Sequence, residues 1–223
     1  MTKSSHSQTT KLKRNNTKKA SKALKVSKTT KKRKGSGIIF TSIRKNKNTN
    51  DENVGKLVFL LGKENEFCYN GGNNKYDAFS GGTDNDETFL ETATREASEE
   101  LFGFFGSKKD IEKMITSSKE FYIDSPTGEY RTYIVPIKYD EKLPIYFNNQ
   151  QKLIKKYFPK NLRKTSKILE KQEIKWFSVN DFKNPKIQRQ LRKHFRKSIH
   201  NILKLKKEIK NFTRRCIHNR KRT

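Results

Sequence analysis

From Gly37 onward the apolar positions follow two rhythms. Compact apolar runs occur at Ile38-Ile39-Phe40, Leu57–Leu61, Tyr76–Phe79 and Ile174–Val179, and they predict strands. The polar stretches Asn46–Asn53 and Tyr69–Asn74 predict turns between them. Phe121–Ile123 and Tyr130–Ile137 flank Pro126-Thr127-Gly128 and predict a hairpin. The second rhythm is helical. Phe89, Ala93, Ala97 and Leu101 recur every four residues with no Pro or Gly among them, which predicts a helix from Asp86 to about Leu101. Asp84 or Asp86 is the expected cap, and Gly103 the expected left-handed residue after the helix. Lys152–Phe158 predicts a short helix. From about Ile187, the residues Leu191, Phe195, Ile199, Ile202, Leu205, Ile209 and Phe212 form one apolar stripe, which predicts a single long helix.

Residues 1–36 lack this patterning. They hold 13 Lys/Arg, no Asp or Glu, and mostly Ser, Thr and Asn besides. Such a segment buries too little apolar surface to offset its chain entropy and is expected to be disordered. The chain therefore divides into a basic tail over 1–36, a domain over 37–183, and a basic amphipathic helix and tail over 184–223. Of 223 residues only 31% are hydrophobic, and the net charge is +29. Without the first 36 residues, 39 basic residues still face 23 acidic ones, a balance of +16. Part of this reflects a Lys- and Asn-rich composition throughout, but the clustered charges favour a polyanionic partner: RNA, DNA, polyphosphates or an acidic membrane surface. Lys31, Lys32, Arg33 and Lys34 form the densest cluster, a candidate phosphate-binding arm or nuclear-import signal.

Cys68 and Cys216 are far apart and near no paired His, so neither a disulfide framework nor a zinc site is indicated. An intracellular, reducing location is expected, cytoplasmic first and nuclear second. No apolar run is long enough to span a membrane.

Chemistry concentrates between Gly81 and Gly103. Glu96, Glu99 and Glu100 stand at i, i+3 and i+4, so they share one helical face. Three carboxylates so placed repel one another, and a divalent cation with a taste for hard oxygen ligands relieves this. A solvated acidic face paired with lysines is the bland reading of an isolated E-x-x-E-E. The surroundings point the other way. Arg95 lies eight residues after Glu87, within reach across two turns, and Gly81-Gly82 precedes the helix where backbone must approach a ligand closely.

This segment resembles the Nudix box, G-x5-E-x7-R-E-U-x-E-E-x-G-U. Gly81, Glu87, Arg95, Glu96, Glu99 and Glu100 match it in register. Ala97 is smaller than the usual aliphatic residue, and Phe102 occupies the final glycine position, with Gly103 one residue late. The resemblance is firm over about 23 residues and looser over 37–183. It implies an α/β/α sandwich with a mixed sheet, and metal-dependent hydrolysis of a diphosphate linkage. It implies Mg2+ or Mn2+ on Glu96, Glu99 and Glu100, catalytic roles for Glu99 and Glu100, and structural support from Gly81, Glu87 and Arg95. A general base is either a box glutamate or a later acid; Glu173 is the leading later candidate, followed by Glu170 and Glu129.

The family fixes the bond type rather than the leaving group. The basic tails favour a long polyanion, since such surfaces bind by counterion release. Residues 186–223 alone hold 15 Lys/Arg and one Glu. Capped mRNA fits best, with release of m7GDP and a 5′-monophosphate RNA, and the chain bears a general similarity to decapping Nudix enzymes of large DNA viruses. Tyr69, Tyr76, Phe79 and Tyr122 are aromatic residues near the expected site that suit base stacking or simple packing. Two alternatives stand beside decapping: a Nudix hydrolase of diphosphoinositol polyphosphates, dinucleoside polyphosphates or free nucleotides, and a non-enzymatic RNA-binding protein on a Nudix scaffold.

Overall fold

The computed structural model describes residues 34–45, 55–67, 72–84, 86–117, 120–163 and 166–219. The basic tail through Arg33, with Lys31 and Lys32, lies outside these residues, as do the turn at Asn46–Asn53, Tyr69, Cys68 and the last four positions. In chain order the elements are β1 (Gly35–Arg44), β2 (Lys56–Glu64), β3 (Tyr76–Asp77), β4 (Phe79–Gly82), α1 (Phe89–Glu100), α2 (Lys108–Thr116), β5 (Tyr122–Asp124), β6 (Tyr130–Pro136), α3 (Leu143–Tyr157), β7 (Lys171–Ser178), α4 (Pro185–Gln188), α5 (Lys193–Lys204) and α6 (Lys206–Asn219).

The seven strands form one mixed sheet in the order β3-β2-β1-β6-β5, with β4 also on β1 and β7 also on β2. The β1–β6 pair is parallel and the others are antiparallel. β1 is uniformly apolar at its centre because both of its faces are covered. Ile38 and Phe40 face a layer containing Ala93, Ala97 and Leu101 of α1, Ile111 and Ile115 of α2, and Phe147 of α3. Ile39 faces the opposite layer, which holds Phe195, Ile199 and Ile202 of α5 with Ile209, Phe212 and Cys216 of α6. This is an α/β/α sandwich with a mixed sheet.

Several expectations need correction. β1 begins at Gly35, two residues into the stretch assigned to the tail. The helix at the acidic motif starts at Phe89, not Asp86: Thr88 caps it, and the Thr88 and Glu91 side chains bond each other's backbone N–H in a capping box. The short helix at Lys152 extends back to Leu143, because Pro144 sits in the first turn, where no N–H is required. α2 is an addition, capped by Ser107 and Asp110.

The single C-terminal helix is replaced by three. Leu191 interrupts it by bridging to Tyr76 of β3: Tyr76 N–H donates to Gln190 C=O, and Arg192 N–H donates to Tyr76 C=O. A second break falls at Leu205. Residues 32–223 form one compact unit, so these helices belong to the same body as the sheet. Among the described residues no helix is long and apolar enough to cross a membrane.

Candidate active site

β4 delivers the chain to α1. Its residues pair with the start of β1, Gly81 opposite Ser36 and Gly82 opposite Gly35, and Thr83 N–H then donates to Lys34 C=O. A turn follows in which Glu87 N–H donates to Asp84 C=O and Asp84 N–H donates to the Glu87 carboxylate. Lys34 is thereby placed beside the loop, with its side chain exposed.

Arg95 closes this loop onto the helix. Its Nε and Nη2 bond the two oxygens of Glu87 at 2.8 and 2.9 Å, a bidentate fork. Nη2 also donates to Gly82 C=O at 2.9 Å, and Nη1 to Glu96 Oε1 at 2.6 Å. Arg95 holds the Glu87 carboxyl at about 2, against an ordinary value of 4.5. The loop is drawn so close that a Cβ at Gly81 would lie 2.2 Å from Glu96 Oε1. A side chain at position 81 would displace the Glu96 carboxylate, so glycine is needed there for space rather than for backbone conformation.

The three motif glutamates have different settings. Glu99 is the most open, with 31% of its side chain exposed against 14% for Glu96 and 6% for Glu100. Glu99 lines a shallow hollow with Ser98, Phe102, Gly103 and Ile168. Glu100 is buried between the sheet and α1. Ser80 N–H donates to its Oε2 at 2.8 Å, and Lys171 Nζ lies 3.0 Å from its Oε1. Burial pushes the Glu100 carboxyl well above its ordinary range, and Lys171 opposes that push.

Lys171 is the residue that the sequence hides. It is fully buried, and burial alone would favour its neutral form. The charges of Glu100, Glu64 and Asp77 outweigh this and raise it. A register shift between Lys63 and Glu64, where β2 meets β7, turns Lys171 toward α1. Gly62 leaves room for its stem: a Cβ there would lie 2.8 Å from Lys171 Cδ. From Lys171 the ionic chain continues through Glu64 to Arg192, whose Nη1 is 3.1 Å from Glu64 and 3.3 Å from Asp77. His194 Nε2 lies 2.7 Å from the same Asp77 oxygen. Ionic contacts thus run without a gap from the acidic helix through the sheet to Arg192, at the start of α5.

The exit from α1 also differs from expectation. Phe102, not Gly103, is the first left-handed residue, with φ +51°, and Gly103 follows at φ +67°. Phe102 N–H donates to Glu99 C=O and Gly103 N–H to Ser98 C=O, the two bonds of a Schellman ending. No residue is inserted; a phenylalanine has taken on a glycine's conformation.

Gly81, Glu87, Arg95, Glu96, Glu99 and Glu100 are therefore brought together, but Glu173 is set apart. Its neighbour Ile174 belongs to the layer that holds α1, and alternation along β7 turns Glu173 to the other face. There it accepts from Tyr76 Oη and from Lys63 Nζ. Glu170 precedes β7, where its C=O accepts from Asn65 N–H, and Glu129 C=O accepts from Gly35 N–H beside the hairpin. Tyr76 and Phe79 are core residues. Tyr122 is 43% exposed, but the Arg131 guanidinium already covers its ring at 3.6 Å.

The donor chemistry of Glu96 and Glu99 fits a hard divalent ion, with Glu100 sharing its charge with Lys171. Among the described residues no group of three or more carboxylate, His or Cys side chains is drawn together as a preformed metal cage.

No protein-family model matches the chain, and no curated protein is similar to it. Solved structures show distant likeness. A mutT/nudix family protein from Listeria innocua is 15% identical, covering 78% of this chain and 93% of its own, with a TM-score of 0.40. The Nudix hydrolase RenU from M. smegmatis is 12% identical, with 79% and 87% covered and a TM-score of 0.40. A C. elegans Ap4A hydrolase is 15% identical, with 48% and 68% covered and a TM-score of 0.30. Likeness this distant assigns no activity to the chain.

Proposed function

We propose that the chain is a metal-dependent Nudix hydrolase that cleaves a diphosphate linkage, with the 5′ cap of mRNA as substrate. The observation that carries this reading is the Arg95 lock. One guanidinium binds Glu87, Gly82 and Glu96 together, so that the six motif residues form one site around the exposed edge of α1. A purely solvated acidic face has no use for a glycine pressed against Glu96.

A bound Mg2+ or Mn2+ would neutralise the diphosphate and lower the pKa of an attacking water. Glu96 and Glu99 are the residues that would hold it, with Glu100 behind them. Glu99, open to the hollow, accepts the proton of the attacking water. Arg95 and Gly81 fix the Glu96 carboxylate, and Lys171 fixes that of Glu100, so neither has to be reorganised during turnover. Water adds to a phosphorus of the triphosphate bridge, the bridging P–O bond breaks, and m7GDP and 5′-monophosphate RNA leave.

RNA as the carrier of the cap is supported by α5 and α6. Their inner stripe packs on the sheet, while Lys193, Arg196, Lys197, Lys204, Lys206, Lys207 and Arg215 are exposed. The test is release of m7GDP from cap-labelled RNA with Mg2+ or Mn2+, comparing wild type with Glu99→Gln. Free cap analogue, nucleoside triphosphates and diphosphoinositol polyphosphates run in parallel. Metal-dependent release from long RNA, lost in the variant, supports decapping. Turnover of a small diphosphate alone moves the substrate and keeps the hydrolase. RNA binding with no turnover of any substrate overturns the enzymatic reading.

A further inference from the structure

On α3, two amide side chains lie one turn apart. Asn148 is used in full: its Nδ2 donates to Ile174 C=O and its Oδ1 accepts from Ile174 N–H, so it reads the donor and acceptor of one backbone residue. Gln151 presents the same pair of groups with nothing to read. Its side chain is 2% exposed, and among the described residues neither its oxygen nor its nitrogen has a hydrogen-bond partner. A buried amide left so is destabilising, and folded proteins rarely keep one without a water or ligand to receive it.

Gln151 lines a cavity of about 280 Å³. Phe67 stands on its wall and is 37% exposed. Four cations line it as well. Lys155 is paired with Glu66 at 2.8 Å and Lys63 with Glu173 at 3.3 Å. Lys152 and Arg163 have no carboxylate partner among the described residues. The cavity therefore combines an unread amide, an aromatic face and surplus positive charge. It also adjoins the acidic helix: Leu169 lines this cavity, and the preceding Ile168 lines the hollow of Glu99, so one 3-10 turn, Lys167–Leu169, is the wall between them.

We infer that this cavity is a nucleotide subsite, in which Gln151 reads a nucleobase edge, Phe67 stacks on the ring, and Lys152 and Arg163 take the phosphate. The base must carry a donor beside an acceptor, as adenine does at N6 and N7 and guanine at N1 and O6. An inorganic anion could take the cations and the Gln151 N–H2 but would leave its amide oxygen with no donor. The size, just under that of ordinary ligand pockets, suits one nucleoside. The assignment rests on the proposed reading in one respect, that the nucleotide belongs to the substrate cleaved at Glu99.

The test is equilibrium binding to the full chain in EDTA, where no turnover occurs. The probes are GMP, AMP, ribose 5-phosphate and orthophosphate. Wild type is expected to bind at least one of the two nucleotides tenfold or more tightly than ribose 5-phosphate. Gln151→Met should abolish that preference, spare ribose 5-phosphate, and leave the melting temperature equal or higher, since an unread amide is removed. Phe67→Ala, on the exposed wall, tests the same site without touching the core and should lower nucleotide affinity several-fold. Equal binding of nucleotides and ribose 5-phosphate by wild type, or an undiminished preference in both variants, overturns the subsite. Base preference without any hydrolysis defeats the proposed activity and leaves the subsite standing; hydrolysis without base preference does the reverse.

Discussion

Gly81 and Glu96 share a space that admits one of them only without a β-carbon: a methyl at position 81 would meet the Glu96 carboxylate at 2.2–2.4 Å. The obstacle is the far end of a flexible side chain, so the carboxylate would move and the backbone would stay. Gly81→Ala is therefore expected to change stability by less than about 1 kcal/mol. Activity should fall on the order of 100-fold, as displacement of a positioned group does. Thermal melts and metal titrations of turnover, run side by side, check this; a large loss of stability would refute it.

Glu87 makes acid unfolding informative. Its carboxyl is lowered from 4.5 to about 2 by Arg95. The unfolded chain therefore binds this proton first, and the stabilisation is complete above pH 4.5. It fades as pH falls toward 2. Glu87→Gln should be less stable than wild type at pH 6, with the gap closing between pH 4.5 and 2. Denaturant midpoints across that range measure it.

Lys171→Met would strand Glu100 in the interior and leave Glu64 to Arg192 alone. Removing one partner of a buried ion pair costs about 3–5 kcal/mol, which for a body of this size is roughly 6–20 °C in melting temperature. Adding Glu100→Gln should recover part of the loss, because the stranded charge is removed. Calorimetry of the single and double variants decides the matter, and additive losses would contradict the network.

Phe102 holds a left-handed backbone at φ +51°. An L-residue loses about 1–2 kcal/mol there, partly offset by the chain entropy that glycine brings. Phe102→Gly should raise stability by about 0.5–1 kcal/mol, seen as a higher melting temperature.

If the outer face of α5 and α6 meets RNA, its lysines act through phosphates. Replacing Lys197, Lys204 and Lys207 by Ala should flatten the dependence of log affinity on log salt by about 3. The effect should be the same for unrelated RNA sequences. An unchanged slope removes this face from the interaction.

The acidic helix was readable because its apolar residues and its carboxylates both keep helical spacing, and local spacing survives folding. Its cap was misplaced, because the acids at 84 and 86 compete for the role that the Thr88–Glu91 pair fills. α2 is hard to see: only Ile111 and Ile115 are buried in a run otherwise charged. The break at Leu191 cannot be read locally, because its cause is Tyr76 on a distant strand. Lys171 is hidden for two reasons. Lysine is almost never buried unless paired, and the register shift beside Glu64 alters the alternation that would reveal its direction. The same alternation, intact at Ile174, separates Glu173 from α1, which position along the sequence alone does not disclose.

Thr41 of β1 and Thr213 of α6 share a hydrogen bond at 2.9 Å across a sequence separation of 172 residues. During translation at about 5–20 residues per second, roughly ten to thirty seconds pass between the two. Throughout that interval the sheet face that holds Ile39, Leu57, Phe59 and Leu61 lacks its cover. Growing chains on a polysome would present that sticky surface to one another, and Arg192 would arrive late to neutralise Glu64 and Asp77. Until the last part of the chain is made, that apolar face has no counterpart from within the protein.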